Sequence, residues 1–128
     1  PAAADTLLRH VADTGQDPDT YDLILTGDLG RVGSELFREL AKDAGLDVGN
    51  NHNDCGLMIF DCKTQRVGAG GSGCACPAVV TFGHVLREME RGKLNKILLI
   101  ATGALLSPLS SQQGETIPGI GHAIVIEW

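Results

Sequence analysis

No stretch of this 128-residue sequence approaches the run of about 18 apolar residues that a membrane-crossing helix needs. Its N-terminus, PAAADTLLRH, lacks the basic, apolar and small-residue succession of a secretory signal. The chain therefore reads as soluble and intracellular. Clustered positive charge is also missing: ten Lys and Arg are scattered among sixteen Asp and Glu, for a formal net charge of −6. This argues against nucleic acid as a partner, because binding to a phosphate backbone depends on basic patches. Any small anion must be held locally, against the field of the whole chain.

Paired metal knuckles are absent as well. Cys55, Cys62, Cys74 and Cys76 follow the pattern C-x6-C-x11-C-x-C, without the close C-x2-4-C pairs of structural zinc sites, although four histidines accompany them. No metal is expected, and free thiols behaving as small hydrophobes are the simpler reading. Compartment and spacing both disfavour disulfides.

What is present is an alternation of helix and strand patterns, in a length that suits one domain or part of one. Ala4, Leu7, Leu8, Val11 and Ala12 recur at helical spacing, with Gly15 as a C-cap. Leu23 to Leu25 read as a short buried strand. Ser34 is placed to cap a second helix with Leu36, Phe37, Leu40, Ala41 and Ala44 on one face and Gly45 at its end. GLMIFD, residues 56–61, reads as a second buried strand. In PAVVTFGHVLREMERG, Val79, Phe82, Leu86 and Met89 share a helical face, Pro77 fits the first turn and Gly92 closes. NKILLIATG is the third strand, SPLSSQQGETIPG a polar loop, and HAIVIEW a last strand free to run antiparallel. The order predicts an α/β layer protein. Pro1, in place of Met and directly on a helical pattern, is read as the mark of a removed upstream segment. Residues 1–128 are accordingly expected to be a fragment whose first strand is missing.

The densest feature is GAGGSGCACP, residues 68–77. Gly68, Gly70 and Gly73 match G-x-G-x-x-G, but CKTQRV intervenes where a dinucleotide site needs an immediate turn, and the next strand ends IATG, without an acid for a ribose hydroxyl. A P-loop fails for want of Gly-Lys-Ser/Thr. No cofactor is expected. Two readings stay open: glycines that let two backbones pass closely, and a glycine-rich helix entry that also lines a ligand site. Cys74 or Cys76 would need a base to act as a nucleophile, and His84 lies too far along the same helix.

NDCGLMIFD, GAGGSGCACPAVVTFGHVL, YDLILTGDLGRVGSELF and LLIATGALLSPLSSQQGETIPGIGHAIVIE together resemble the C-terminal half of the stage V sporulation protein AD family, thiolase-like proteins of endospore-forming bacteria. The resemblance implies two similar halves, each a mixed five-stranded sheet with helices, stacked in five layers, α/β/α/β/α. Residues 1–128 would be the second half without its first strand. It further implies a role in the uptake of dipicolinic acid (pyridine-2,6-dicarboxylic acid, accumulated as its calcium chelate) into the developing spore, at the periphery of the forespore or spore inner membrane. The implied partners are that ligand or its chelate, the N-terminal half, other stage V sporulation membrane proteins, and a second copy of the chain.

Condensing enzymes of the thiolase-like superfamily use a cysteine from the first half and two bases from the second. Here Gly27 or Asp28 stands where one imidazole would be, and Val67 to Gly73 contain neither His nor Asn. Without those bases acyl transfer is not expected, so the resemblance reads as an enzyme fold retained for binding. A planar dianion would be held by backbone N–H groups and small hydroxyls. The candidates are Gly70, Gly71, Ser72, Gly73 and Cys74 at the helix start, Thr26 and Gly27 at one strand end, and Thr102, Gly103 and Ala104 at another. The rival readings are an active acyltransferase, and a structural subunit that docks on membrane partners through Ser107 to Gln113.

Overall fold

The computed structural model describes residues 1–104, 108–116 and 119–128. Helix α1 (Ala2–Thr14) ends on Gly15 in the left-handed conformation, as the sequence predicts, and buries Ala3, Ala4 and Leu7. Strand β1 (Leu23–Thr26), helix α2 (Gly30–Asp43), strand β2 (His52–Asp54) and the single turn α3 (Cys55–Met58) follow. Next come α4 (Cys76–Val80), a π-helical turn (Thr81–Val85) and α5 (Leu86–Glu90), then strand β3 (Lys96–Ala104), the short helix α6 (Pro108–Gln112) and strand β4 (Gly119–Glu127).

The strands form one open mixed sheet in the order β2-β1-β3-β4, with β1 parallel to both neighbours and β4 antiparallel to β3. Successive side chains of a strand point to opposite faces, and this divides the core in two. Ile24, Leu98 and Ile100 pack with Leu7 of α1 and Phe37 and Ala41 of α2. Leu25 and Ile97 pack on the other face with Cys55, Cys76, Val80, Val85 and Met89. The chain is thus an α/β protein with helices on both sides of its sheet.

Five expectations need correction. GLMIFD is not a strand: β2 is the polar segment just before it, and the apolar run turns helical because the Asp54 side chain accepts from Gly56 N–H and caps α3. Ser34 does not cap α2, which starts at Gly30; its hydroxyl is buried inside the helix without a hydrogen-bond partner. The α2 face is also split, since Phe37 and Ala41 are buried while Leu36 is 51% exposed. Val79 and Phe82 do not share a buried face with Met89: they are 55% and 69% exposed, and Val80 and Val85 are buried instead. The cause is the π turn, closed by Leu86 N–H to Thr81 O, which adds one residue between successive core positions. The predicted polar loop after β3 holds α6; Ser107 lies outside the described residues.

Candidate functional site

The parallel strands end side by side, with Thr26 in register with Asp54 on one side and Ile100 on the other. A buried carboxylate organises this end of the sheet. Asp54 accepts from Thr26 Oγ1 at 2.7 Å and from the N–H groups of Leu29, Gly30 and Gly56, each at 2.9 Å. One side chain therefore satisfies the first donors of both α2 and α3, which have no intrahelical partners.

Because Thr26 gives its one hydroxyl proton to Asp54, it must accept from His52 Nε2, 3.0 Å away. The proton of His52 thus sits on Nε2, and Nδ1 is buried without a partner. Burial, followed by the positive charge of Arg38, lowers the His52 pKa from 6.5 to about 4. The folded state then binds fewer protons than the unfolded state in that interval. Stability conferred by neutral His52 is complete above pH 6.5 and is lost as pH falls towards 4. The expected loss is about 3 kcal/mol, and a series of urea titrations from pH 7 to 4 should show it shrink in His52→Gln.

The glycine stretch crosses over α3. Gly71 N–H donates to Gly56 O at 2.6 Å, and a Cβ built on Gly56 would run into Gly71 O. A Cβ on Gly70, whose φ is +120°, would lie 2.6 Å from Gly56 O. Arg31 N–H donates to Ala69 O at 2.7 Å, tying the same segment to α2. Gly70 and Gly71 are therefore packing glycines. Gly73 is different: its φ is also +120°, nothing lies within 4 Å of its Cβ direction, and its N–H donates to Asp28 Oδ2 at 2.9 Å.

Beside Gly73 opens a cleft of about 670 Å³. Its polar wall is Asp28, Gly73, Cys74, Thr102 and Gly103, and its apolar wall is Leu29, Leu36, Phe37 and the alanines that open α1. Among the described residues, no Lys, Arg or His side chain lines it. A shallower cleft of about 310 Å³ shares Gly73 and Cys74 and adds Ser72, Ile59, Phe60 and Val79. Gly73 and Cys74 border both clefts.

The family model for stage V sporulation protein AD matches residues 1–127. Stage V sporulation protein AD of Bacillus subtilis (strain 168) is 54% identical over 127 residues, which is 99% of this chain and 37% of that relative. The chain belongs to the stage V sporulation protein AD family. Membership makes it a stage V sporulation protein, and it spans a little over a third of the length of its curated relative.

Of the predicted site residues, only Gly73, Cys74, Thr102 and Gly103 meet in the large cleft. Ser72 faces the smaller one with Gly71. Thr26 is buried and committed to Asp54, and Gly27 is a buried spacer whose Cβ direction points at Thr102 N and Pro77 Cβ, at 3.5 and 3.7 Å. Ala104 closes β3, and its side chain lies outside the described residues. Asp28 and the apolar wall from α2 went unpredicted as cleft residues, because they approach Gly73 from far away in the sequence, Asp28 across 45 positions. Asp54 carried a usable signal, an acidic residue directly before a glycine-containing apolar run.

The thiols divide into two classes. All four are free; Cys55 and Cys76 are buried, as small hydrophobes would be, whereas Cys62 and Cys74 are exposed and depart from that expectation. Burial, aided by Asp54, pushes the Cys55 thiol up to about 12, and burial with the charges of Asp28 and Asp54 also raises Cys76. Both shifts oppose formation of a nucleophilic thiolate. In this chain a disulfide reagent should modify Cys62 and Cys74 promptly and reach Cys55 and Cys76 only in denaturant, as peptide mapping would show. Among the described residues no group of three or more His, Cys, Asp or Glu is arranged to hold a metal ion, and no helix is long and apolar enough to cross a membrane.

Proposed function

We propose that this chain is the C-terminal half of a non-enzymatic, thiolase-like protein that binds dipicolinic acid and supports its uptake into the developing spore. The observation that carries the reading is the cleft at the strand ends. Glycine backbone and the Thr102 hydroxyl face it from one side, while Leu29, Leu36 and Phe37 offer an apolar surface to a planar ring. Thr102 Oγ1 makes no hydrogen bond among the described residues, unlike that of Thr26, which is committed to Asp54.

Among the described residues no Lys, Arg or His side chain lines the cleft, so side-chain charge that balances a dicarboxylate would come from the remainder of the protein. Exposed Phe82 and Val79 support that two-half arrangement, since they present apolar surface to a layer packed over α4 and the π turn. Ile120 and Ile124 of β4, half exposed on one face of the sheet, add to the apolar surface that a further layer would cover. An acyltransferase reading is disfavoured by the absence of His from the cleft wall described, since this half would have to supply the bases.

Calorimetric titration of the full-length protein with pyridine-2,6-dicarboxylate tests the proposal. Binding is expected, and Thr102→Val should weaken it about tenfold, the worth of one hydrogen bond, with an unchanged urea midpoint. A folded full-length protein that shows no binding would overturn the reading.

A further inference from the structure

We propose that Asp28 is a built-in competitor for the anion position of the large cleft: its carboxylate holds the Gly73 N–H that a ligand carboxylate takes on binding, and it swings aside to admit the ligand. This inference rests on the carboxylate-binding reading above. It begins with the backbone donors of the glycine stretch. Gly71 N–H is bonded to Gly56 O across the crossing, and Gly70 N–H to Val67 O and Cys76 N–H to Gly73 O in local turns, all of them backbone pairs. Gly73 N–H is bonded to a side chain instead, Asp28 Oδ2 at 2.9 Å. A backbone partner leaves only if the crossing or the turn comes apart, whereas a side-chain partner leaves by rotation about its own χ angles.

The position also faces open space. Gly73 and Asp28 both line the cleft, and nothing lies within 4 Å of the Gly73 Cβ direction. Asp28 is held on this side by little else: no salt bridge reaches it, and its Oδ1 accepts no hydrogen bond among the described residues. An incoming carboxylate replaces like with like at Gly73, so the charge-assisted hydrogen bond is conserved and the Asp28 carboxylate turns to solvent. The exchange lowers affinity by the contact that must first be broken and by the repulsion of the displaced charge. Its counterpart is ready release, because Asp28 re-forms the bond as the ligand departs.

The test uses the full-length protein with 15N-labelled glycine. In Asp28→Ala the Gly73 amide proton should move upfield while other glycine amides hold their positions, which also reports that the variant is folded. Acetate should shift the Gly73 amide in Asp28→Ala and leave it unmoved in the wild type over the same range. In calorimetry with pyridine-2,6-dicarboxylate, Asp28→Ala should bind about tenfold more tightly and Asp28→Asn, which keeps an acceptor without the charge, to an intermediate degree. A Gly73 amide that ignores Asp28→Ala, or weaker binding by that variant, overturns the proposal. If neither protein binds the pyridine dicarboxylate, the ligand assignment fails, and the acetate response alone decides whether Asp28 masks Gly73.

Discussion

Asp54→Ala should cost on the order of 4 kcal/mol of folding stability, enough to leave a typical domain largely unfolded under mild denaturant. The substitution removes the acceptor for Thr26 Oγ1 and for the N–H groups of Leu29, Gly30 and Gly56, and it leaves these donors orphaned where water does not reach Asp54 or Gly30. Losing a buried acceptor costs more than the hydrogen bonds are worth as net gains, because each donor keeps its desolvation penalty. Asp54→Asn, with one carbonyl oxygen in place of two, should fall between the variant and the wild type. Urea midpoints of the three full-length proteins provide the measurement. Equal midpoints for Asp54→Ala and wild type would mean that helix entry is capped by something other than this carboxylate.

Gly56→Ala should be nearly as damaging, at about 3 kcal/mol, for a reason that has nothing to do with conformational freedom. The added methyl would meet Gly71 O at a separation no real contact shows, with Asp54 Oδ2 only 2.9 Å away, so the two backbones would have to part. The same change at Gly83 supplies the control. It sits in the π turn with nothing within 4 Å and without a positive φ, and Gly83→Ala should be neutral or slightly stabilising. Circular-dichroism melts of both variants would separate the positions. A Gly56→Ala protein that melts with the wild type would refute the close crossing.

How far these features could be read in advance depended on whether their cause was local. Strand β3 was legible because Ile97 to Ile100 form a continuous apolar run bounded by Asn95 and Gly103, and α1 because its apolar spacing and Gly15 agree. The run after Asp54 was not, since a short apolar segment fits a buried strand and a helical turn equally well until the cap is seen. The exposed Phe82 was misplaced by a template of 3.6 residues per turn that cannot represent a π turn. At the site, Gly70, Gly71 and Gly73 look alike as letters. Only the distant partners Gly56 and Asp28 show that the first two carry packing while the third faces the cleft.

The π turn has a consequence for how this helix can change over time. Cys76 and Val80 before it, Val85 at its end and Met89 after it all reach the same core, so the two segments are phased independently and joined by one surplus residue. A lineage that gains or loses a residue here can alter which side chains the helix shows outward while keeping those it buries. The outer surface can diversify by insertion, a kind of change that a regular helix would register as a rotated and ruined core.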